Sequence, residues 1–213
     1  MQYETFEKQF RPLRIFESSL LLPFYESAQQ AQRQLSDWTQ AGKLLQLRRG
    51  VYAFRPPYQD EQPHRFWIAN LMVRPSYVSL QAALSYYDLI PEHVASVTSV
   101  TTGRPQTLVN EYGRFMYRHI KTRFFYGFRH WRISNQQYAF LATPEKALLD
   151  LIYLTPNGDA EAYLRALRLQ NLDTLNIERL HRLVKESGMP KLERALKHLI
   201  ALVEEETLSY EVL

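Results

Sequence analysis

Apolar residues recur at helical spacing along much of the chain, and the clearest set lies just before residue 40. Its members are separated by three, four and three positions, so they lie on one face of a helix. They are Ala28, Ala31, Leu35 and Trp38. Ser27 is a suitable N-cap, and Gly42 stands where a left-handed C-cap would end the helix. The pattern predicts a helix over 28–41.

Two short β-prone runs follow this helix. Their apolar residues are Leu45, Leu47, Val51 and Phe54. Between them, the stretch 47–50 predicts a hairpin turn with two arginines at its tip and a glycine that can adopt positive φ. A helix followed by a hairpin with a basic tip is typical of a winged helix-turn-helix, in which the second helix enters the major groove and the wing contacts phosphates.

The polar face of the helix favours the reading of DNA bases. Between residues 28 and 41 the sequence has five glutamines and one arginine but only one acid, and Gln and Arg can pair bidentately with base edges. The predicted base contacts are Gln29, Gln30 and Arg33. The predicted phosphate contacts are Lys43, Arg48 and Arg49. The alternative is an ordinary solvated helix followed by a solvated hairpin tip.

The neighbouring segments complete a predicted first domain. A first helix is predicted over 3–16 despite Pro12, and residues 18–27 predict the short second helix and turn of the motif. The apolar residues of the first helix are Phe6, Phe10, Leu13 and Phe16. Three prolines and a polar cluster over 55–63 are typical of a linker. We therefore predict a winged helix-turn-helix domain over 1–56, a linker over 57–63 and a second domain over 64–213.

The pattern alternates between helical and strand periods in the first part of this second domain. A helix is predicted over 64–73, a second helix is predicted within 76–92 with Ser79 as its N-cap, and a strand is predicted over 94–102. Short aromatic runs over 112–140, separated by glycine and polar turns, predict a small, mostly antiparallel sheet.

The last part of the chain is predicted to be helical. Thr143-Pro144-Glu145 supplies an N-cap, a proline at the first position and an acid in the first turn. Helical periodicity then continues to residue 206, with a break at Gly188 and Pro190. The predicted fold class is α+β, with an N-terminal winged helix-turn-helix, a small sheet in the second domain and C-terminal helices.

A basic stretch lies between residues 103 and 132, with only one acid, Glu111. Its cations are Arg104, Arg114, Arg118, Lys121, Arg123, Arg129 and Arg132. Eight aromatic residues are interleaved with them. One interpretation is a nucleic-acid surface with exposed aromatic rings. The other is a sheet whose aromatic residues are in the core while the arginines alternate outward. Both interpretations predict the same alternation of residues, so the sequence does not distinguish them.

Composition narrows the classes of function. The chain has 213 residues, 46% of them hydrophobic, and no cysteine, which excludes disulfides, thiolate chemistry and a cysteine zinc site. The sequence has no signal-peptide pattern and no apolar run long enough for a membrane span, so we expect a soluble cytoplasmic protein. Residues 1–56 have a charge balance of +3, residues 57–135 of +4 and residues 136–213 of −3, so the first two thirds suit a polyanion.

The sequence gives little indication of an enzyme. The six histidines are scattered, with no HExxH, and the sequence has no Gly-rich phosphate loop, no GxSxG and no dinucleotide fingerprint. Glu145, Lys146 and Asp150 share one helix, but Glu145 is explained by the helix N-terminus and Asp150 by surface exposure. We predict no catalysis, no metal and no cofactor.

Five segments of the chain, taken together and in order, resemble the AbiEi family of antitoxins. They are LSDWTQAGKLLQLRRGVYAF, SYVSLQAALSYYDLIPE, VTSVTTGR, GRFMYRHIKTRFFYGF and LATPEKALLDLIYL. The resemblance covers roughly residues 18–155. It implies a DNA-binding role for the helix that carries Gln29, Gln30, Arg33 and Gln34 and for the wing that carries Lys43, Arg48 and Arg49.

The resemblance also implies a biological role. Members of this family are antitoxins of bacterial type IV toxin-antitoxin and abortive-infection systems, which act in phage defence. Their N-terminal domain represses the operon by binding inverted repeats in the promoter, and their C-terminal domain neutralises a nucleotidyltransferase-like toxin without a stable complex. We therefore expect two copies on DNA from a protein that can be monomeric in solution. The alternative is a ligand-responsive winged-helix transcriptional regulator with no toxin partner.

Overall fold

Two sheets and the helices around them form a mixed α+β fold. The computed structural model describes residues 1–59, 61–134 and 136–211, and side chains as far as residue 206. The first sheet and its helices lie within residues 1–54, and the second sheet lies within residues 76–142. This agrees with the predicted α+β class.

The first sheet has three antiparallel strands in the order β1-β3-β2. Its elements in chain order are α1 (Tyr3–Phe10), a 3₁₀ turn (Arg11–Leu13), β1 (Ile15–Glu17), a 3₁₀ segment (Ser18–Phe24), α2 (Ala28–Gln40), β2 (Leu44–Arg48) and β3 (Val51–Phe54). The helix and hairpin predicted over 28–54 are therefore present. Gly50 has φ +79°, the conformation that the hairpin turn requires.

The first helix is shorter than the sequence predicted. It ends at Phe10, and the chain then makes a 3₁₀ turn that contains Pro12, because proline lacks the N–H that a continuing helix needs. Leu13 is consequently exposed, and Phe16 lies on strand β1 instead of on a helix. The segment predicted as a second helix is a 3₁₀ helix with Pro23 inside it.

Alternate residues of the first sheet enter two different cores. Phe16, Leu44, Tyr52 and Phe54 pack with α1 and α2 in an aromatic cluster. Ile15, Leu47, Val51 and Ala53 face the other way and join the larger core of residues 68–199. Both faces of this small sheet are therefore covered by apolar side chains.

The second sheet has six strands and mixed pairing, in the order β6-β7-β5-β4-β9-β8. The strands are β4 (Ser76–Val78), β5 (Val97–Thr101), β6 (Gln106–Asn110), β7 (Gly113–His119), β8 (Phe128–Ser134) and β9 (Gln137–Ala142). Three of the five pairings are antiparallel, while β5 with β7 and β4 with β9 are parallel. The predicted aromatic runs thus form β7 on one side of the sheet and β9 and β8 on the other, while β5 and β4 between them come from earlier residues.

The helix predicted within 76–92 begins where the sequence places its N-cap. Helix α4 (Leu80–Tyr86) follows directly after Ser79, and the preceding residues 76–78 form strand β4 between β5 and β9. Ser79 precedes the helix as predicted, yet its hydroxyl does not cap it and donates instead to Asp150 Oδ2, 2.8 Å away. The predicted start of the helix is therefore confirmed, whereas the predicted cap hydrogen bond is replaced by a tertiary contact.

The remaining helices surround the second sheet. They are α3 (Arg65–Met72), α5 (Pro144–Leu154), α6 (Glu161–Ala166), α7 (Ile177–Ser187) and α8 (Pro190–Glu211). The predicted break is confirmed, because α7 ends at Gly188 with φ +58° and α8 begins at Pro190. Of the helices in the described part of the chain, none combines the length and apolar character needed to cross a membrane.

Candidate nucleic-acid interface

Helix α2 presents a polar face to solvent because its apolar stripe is anchored underneath. Ala31, Leu35 and Trp38 are buried in the aromatic cluster, and the Trp38 ring stacks on Phe6 at a centroid distance of 4.4 Å. Ser27 caps the helix as predicted, since its hydroxyl accepts the N–H of Gln30 at 3.2 Å. The helix is therefore fixed in rotation, and its outer face is set by packing.

The predicted base contacts lie together on that outer face. Gln29, Gln30 and Arg33 are exposed, whereas Gln34 is half-buried. The Gln30 amide also donates to Glu26 Oε2 at 3.3 Å, which holds it near the start of the helix. The arrangement leaves two amides and a guanidinium on one exposed surface, and these groups can form hydrogen bonds with base edges.

A tyrosine between α2 and the sheet was not singled out from the sequence. The Tyr52 hydroxyl accepts the side-chain amides of Gln32 on α2 and Gln46 on β2, at 3.0 and 3.1 Å. Both glutamines are exposed, so they link the surface of the helix to that of the sheet. No sequence signal distinguishes Gln32 from the neighbouring glutamines, because the link depends on how the helix docks.

The two arginines at the hairpin tip lie in different surroundings. The strands shift register between Gln46 and Arg48, and Arg48 pairs with Val51, which faces the larger core. Since paired residues point to the same side of a sheet, Arg48 points away from α2. Burial raises the pKa of Tyr117 in the second sheet, and the nearby Arg48 guanidinium opposes that rise. Arg49 is exposed at the turn itself.

Lys43, the third predicted phosphate contact, is engaged within the protein. Its ammonium lies 3.9 Å above the centre of the Tyr3 ring, and the side chain is half-buried. A cation–π contact of this kind holds the charge near α1. Of the predicted phosphate contacts, the hairpin arginines are thus the more accessible.

The seven cations of the basic stretch do not form one surface. Arg114 and Arg118 are on β7, while Arg129 and Arg132 are on β8, and three strands lie between β7 and β8. At the usual strand spacing this separation is about 19 Å. Arg104 lies in the loop after β5, and Lys121 and Arg123 follow β7. The cations on β7 and those on β8 therefore lie toward opposite edges of the sheet.

The aromatic residues of this stretch divide in the same way. Phe115, Tyr117 and Phe124 are buried, so β7 follows the interpretation with aromatic residues in the core and arginines outside. On β8, by contrast, four consecutive residues, 129–132, are all exposed. Trp131 among them is 38% exposed, and its indole N–H donates to the Tyr86 hydroxyl at 2.8 Å.

The acid that the sequence placed on the surface is buried. Asp150 is 1% exposed, and it accepts hydrogen bonds from the hydroxyls of Tyr77 and Ser79 and from the Lys146 ammonium, itself also buried. Burial raises the pKa of Asp150, while Lys146 and the two hydroxyls oppose that rise. The surface prediction was wrong because α5 is covered on every side by α4, β9, α7 and α8, which leaves it no solvated face.

Glu145 is in the first turn of α5, as predicted, but it too is buried. Its carboxylate accepts the backbone N–H of Asn176 at 2.9 Å and a guanidinium N–H of Arg179 at 3.4 Å. These bonds join α5 to the start of α7. The charged residues of α5 therefore make interhelical and helix-to-strand contacts that hold the core together.

Within the residues that the structure describes, no three or more His, Asp or Glu side chains cluster closely enough to hold a metal ion. Compared with protein-family models and with curated proteins, the chain matches none of either kind.

Proposed function

We propose that this protein is an AbiEi-like antitoxin that also represses its own operon. In this proposal α2 and the β2–β3 hairpin are the reading helix and wing of a winged helix-turn-helix on promoter DNA. The observation that carries the proposal is the exposed face of α2, on which Gln29, Gln30 and Arg33 lie together. Two copies would bind an inverted repeat and block the promoter by occupying it.

The packing beneath α2 supports this role. A helix that reads bases must hold its polar side chains at a fixed angle to the groove, and the buried stripe and the Ser27 cap fix that angle here. The Gln32–Tyr52–Gln46 link holds the helix against the sheet that carries the hairpin. The helix and the hairpin can therefore bind one stretch of duplex as a unit.

The antitoxic part of the proposal rests on the resemblance of residues 18–155 to the family. Residues 64–213 would oppose a nucleotidyltransferase-like toxin without forming a stable complex with it. If instead the protein is a ligand-responsive regulator, DNA binding is the same but no toxin exists. A nucleotidyltransferase-like gene immediately downstream would favour the antitoxin.

The wing can be tested with single variants in a mobility-shift assay on the DNA upstream of the gene. We expect Arg49→Ala to weaken binding and to lower the salt slope by about one, because one phosphate contact is lost. Arg48→Ala should have a smaller effect, since Arg48 points away from α2. Arg182→Ala, an exposed arginine on α7, is the matched control. Unchanged binding in the double variant of Arg48 and Arg49 would remove the wing from the mechanism.

Antitoxicity can be separated from repression by growth rescue on co-expression with the downstream gene. A fragment lacking residues 1–56 is a poor test, because Ile15, Leu47 and Val51 belong to the larger core. Full-length Arg33→Ala is a better reagent, since Arg33 is exposed and its loss leaves both cores intact. We expect this variant to lose repression but still rescue growth. Failure of the wild-type protein to rescue growth would exclude the antitoxin function.

A further inference from the structure

A cavity of about 600 Å³ opens between α3 and the outer face of β8 and β9. Its lining includes the rings of Trp67, Phe128, His130, Tyr138 and Phe140. Arg74, at the turn that follows α3, also lines it. This volume lies within the range of pockets that hold small molecules.

The sheet face that forms one wall is left uncovered. On β9, Ala139 and Leu141 enter the core, while the alternating residues Tyr138 and Phe140 point outward and are 39% and 44% exposed. His130 pairs with Phe140 across the strands and lies on the same face. Large exposed aromatic rings gathered around a concave site are typical of ligand recognition.

The rings provide flat walls. His130 stacks on Tyr138, with 4.7 Å between ring centres and 10° between planes. Phe128 meets Phe140 edge-on at 5.8 Å. Flat aromatic surfaces of this kind accept a planar ring by stacking, and a nucleobase has such a ring whatever its identity.

The polar side chains that line the cavity include a buried amide, Asn70, whose hydrogen bonds are made within the protein, and an accessible cation, Arg74. Asn70 donates to the Ser76 carbonyl at 3.3 Å and accepts the Phe140 N–H at 2.7 Å, so it bridges β4 and β9 where the two strands separate. The Arg74 side chain is 60% exposed and approaches Glu17 at 3.3 Å. A guanidinium has five N–H donors, so one carboxylate contact leaves others for a phosphate.

We propose that this cavity binds a nucleoside monophosphate, with the base against the aromatic walls and the phosphate toward Arg74. Aromatic walls and a single cation fit a molecule that is planar at one end and anionic at the other. The proposal goes beyond DNA binding and does not depend on it, because the cavity lies on the second sheet and α3 and not on the exposed face of α2.

Isothermal titration calorimetry on the full-length protein tests the proposal. The probes are AMP, GMP, CMP and UMP, with adenosine, ribose 5-phosphate, inorganic phosphate and benzoate as partial ligands. We expect at least one monophosphate to bind, and ribose 5-phosphate and inorganic phosphate to bind more weakly because they lack the base. Benzoate should also bind more weakly than the best monophosphate, because it lacks the sugar and the phosphate.

Variants then assign the binding to this cavity. Tyr138→Ala or Phe140→Ala should lower the affinity for the tightest-binding monophosphate about 5-fold or more, because stacking is lost. Tyr86→Ala is the matched control, since Tyr86 is a tyrosine with the same 39% exposure outside the cavity. Arg74→Ala should lower the affinity for the monophosphate and leave the affinity for adenosine unchanged. Circular dichroism checks that each variant is folded.

Three results would overturn the proposal. The first is no heat from any monophosphate at either of two temperatures, at concentrations up to about 10 mM, where even a millimolar dissociation constant gives near-saturation. The second is binding that Tyr138→Ala and Phe140→Ala leave unchanged in folded protein. The third is benzoate binding as tightly as the best monophosphate. Each is independent of the mobility-shift assay, so the two proposals can fail separately.

Discussion

Helices α2 and α5 begin in the same way and lie in opposite surroundings. Each starts with a hydroxyl residue, Ser27 or Thr143, whose side chain accepts the backbone N–H three residues later. Three residues of α2 are buried, whereas eight residues of α5 are buried, including all of its charged ones. The charged groups of α5 are thus engaged by the protein itself, while those on the outer face of α2 remain accessible to a partner.

The largest expected effect is the loss of the Lys146 charge from α5. Lys146→Met leaves Asp150 buried without its cation, which should lower the free energy of unfolding by about 3–5 kcal/mol. Urea denaturation measures the change. Arg33→Met, the matched loss of a cation from α2, should change stability by no more than about 0.5 kcal/mol.

A second substitution distinguishes lost charge from lost packing in α5. In Lys146→Met with Asp150→Asn, the buried carboxylate charge is removed together with its cation, while the Asn side-chain oxygen can still accept the hydroxyls of Tyr77 and Ser79, so most of the stability should return. If the double variant were as unstable as Lys146→Met alone, the pair would not be the reason for the loss. The two helices would then differ less than their burial indicates.

The next effect concerns the outer face of α2. Arg33→Ala should weaken operator binding by about 1–3 kcal/mol, the amount associated with a bidentate base contact, while its urea midpoint stays close to that of the wild type. A mobility-shift titration at fixed salt measures the change. Operator affinity unaffected by both Arg33→Ala and Gln29→Ala would mean that α2 is an ordinary solvated helix.

The caps provide a smaller and closely matched test. Ser27→Ala and Thr143→Ala each remove one hydroxyl acceptor, and each should lower the free energy of unfolding by about 1 kcal/mol. The loss should be larger for Thr143→Ala, because Thr143 is only 5% exposed and water cannot replace the lost acceptor there. Ser27 is exposed, so water can replace its hydroxyl. Thermal denaturation of both variants checks the order. Equal losses would show that burial does not distinguish the two helix starts.

A third cap adds a dependence on pH. The His64 imidazole Nδ1 accepts the Phe66 N–H at the start of α3, and burial, helped by the Arg65 charge, lowers the pKa of His64 below 6.5. A lowered pKa means that the folded protein binds fewer protons than the unfolded chain just below pH 6.5. Stability from this group is therefore present above that pH and is lost as pH falls.

The pH effect is expected to be the smallest of the four, and it has a direct control. His64→Asn keeps a side-chain acceptor at the N-cap but cannot titrate, so its stability should change less between pH 7 and pH 5 than that of the wild type. Urea denaturation at both pH values measures this difference. An identical loss in both proteins would assign the pH dependence to other groups.

The sequence predicted α2 and the hairpin well because the information there is local. The spacing from Ala28 to Trp38, the Ser27 cap and the glycine of the turn each act within a few residues of the chain. The winged-helix interpretation and the contacts of Gln29 and Arg33 with DNA remain predictions. The structure adds that these side chains share one exposed face.

The sequence could not predict features that depend on distant residues. Strands β7 and β8 are close in sequence, but β5, β4 and β9 lie between them in the sheet, and nothing local indicates that order. Aspartate is a residue type that is usually exposed, and for this reason Asp150 was predicted on the surface. Its spacing of four from Lys146 within an apolar run is the sequence signal that could have pointed to a buried pair. The cavity combines residues near position 70 with residues near position 140, so no single stretch encodes it.

The three-stranded sheet has a further consequence for any attempt to replace residues 1–54 with the corresponding part of another protein. Ile15, Leu47, Val51 and Ala53 belong to the larger core, and the other face of the sheet packs against α1 and α2. Both faces of the sheet are therefore engaged in packing. A replacement for this part of the chain must therefore bring compatible residues at those four positions. If α2 binds DNA as proposed, its specificity is more safely altered by substitutions on the outer surface of α2, where a new side chain disturbs neither core.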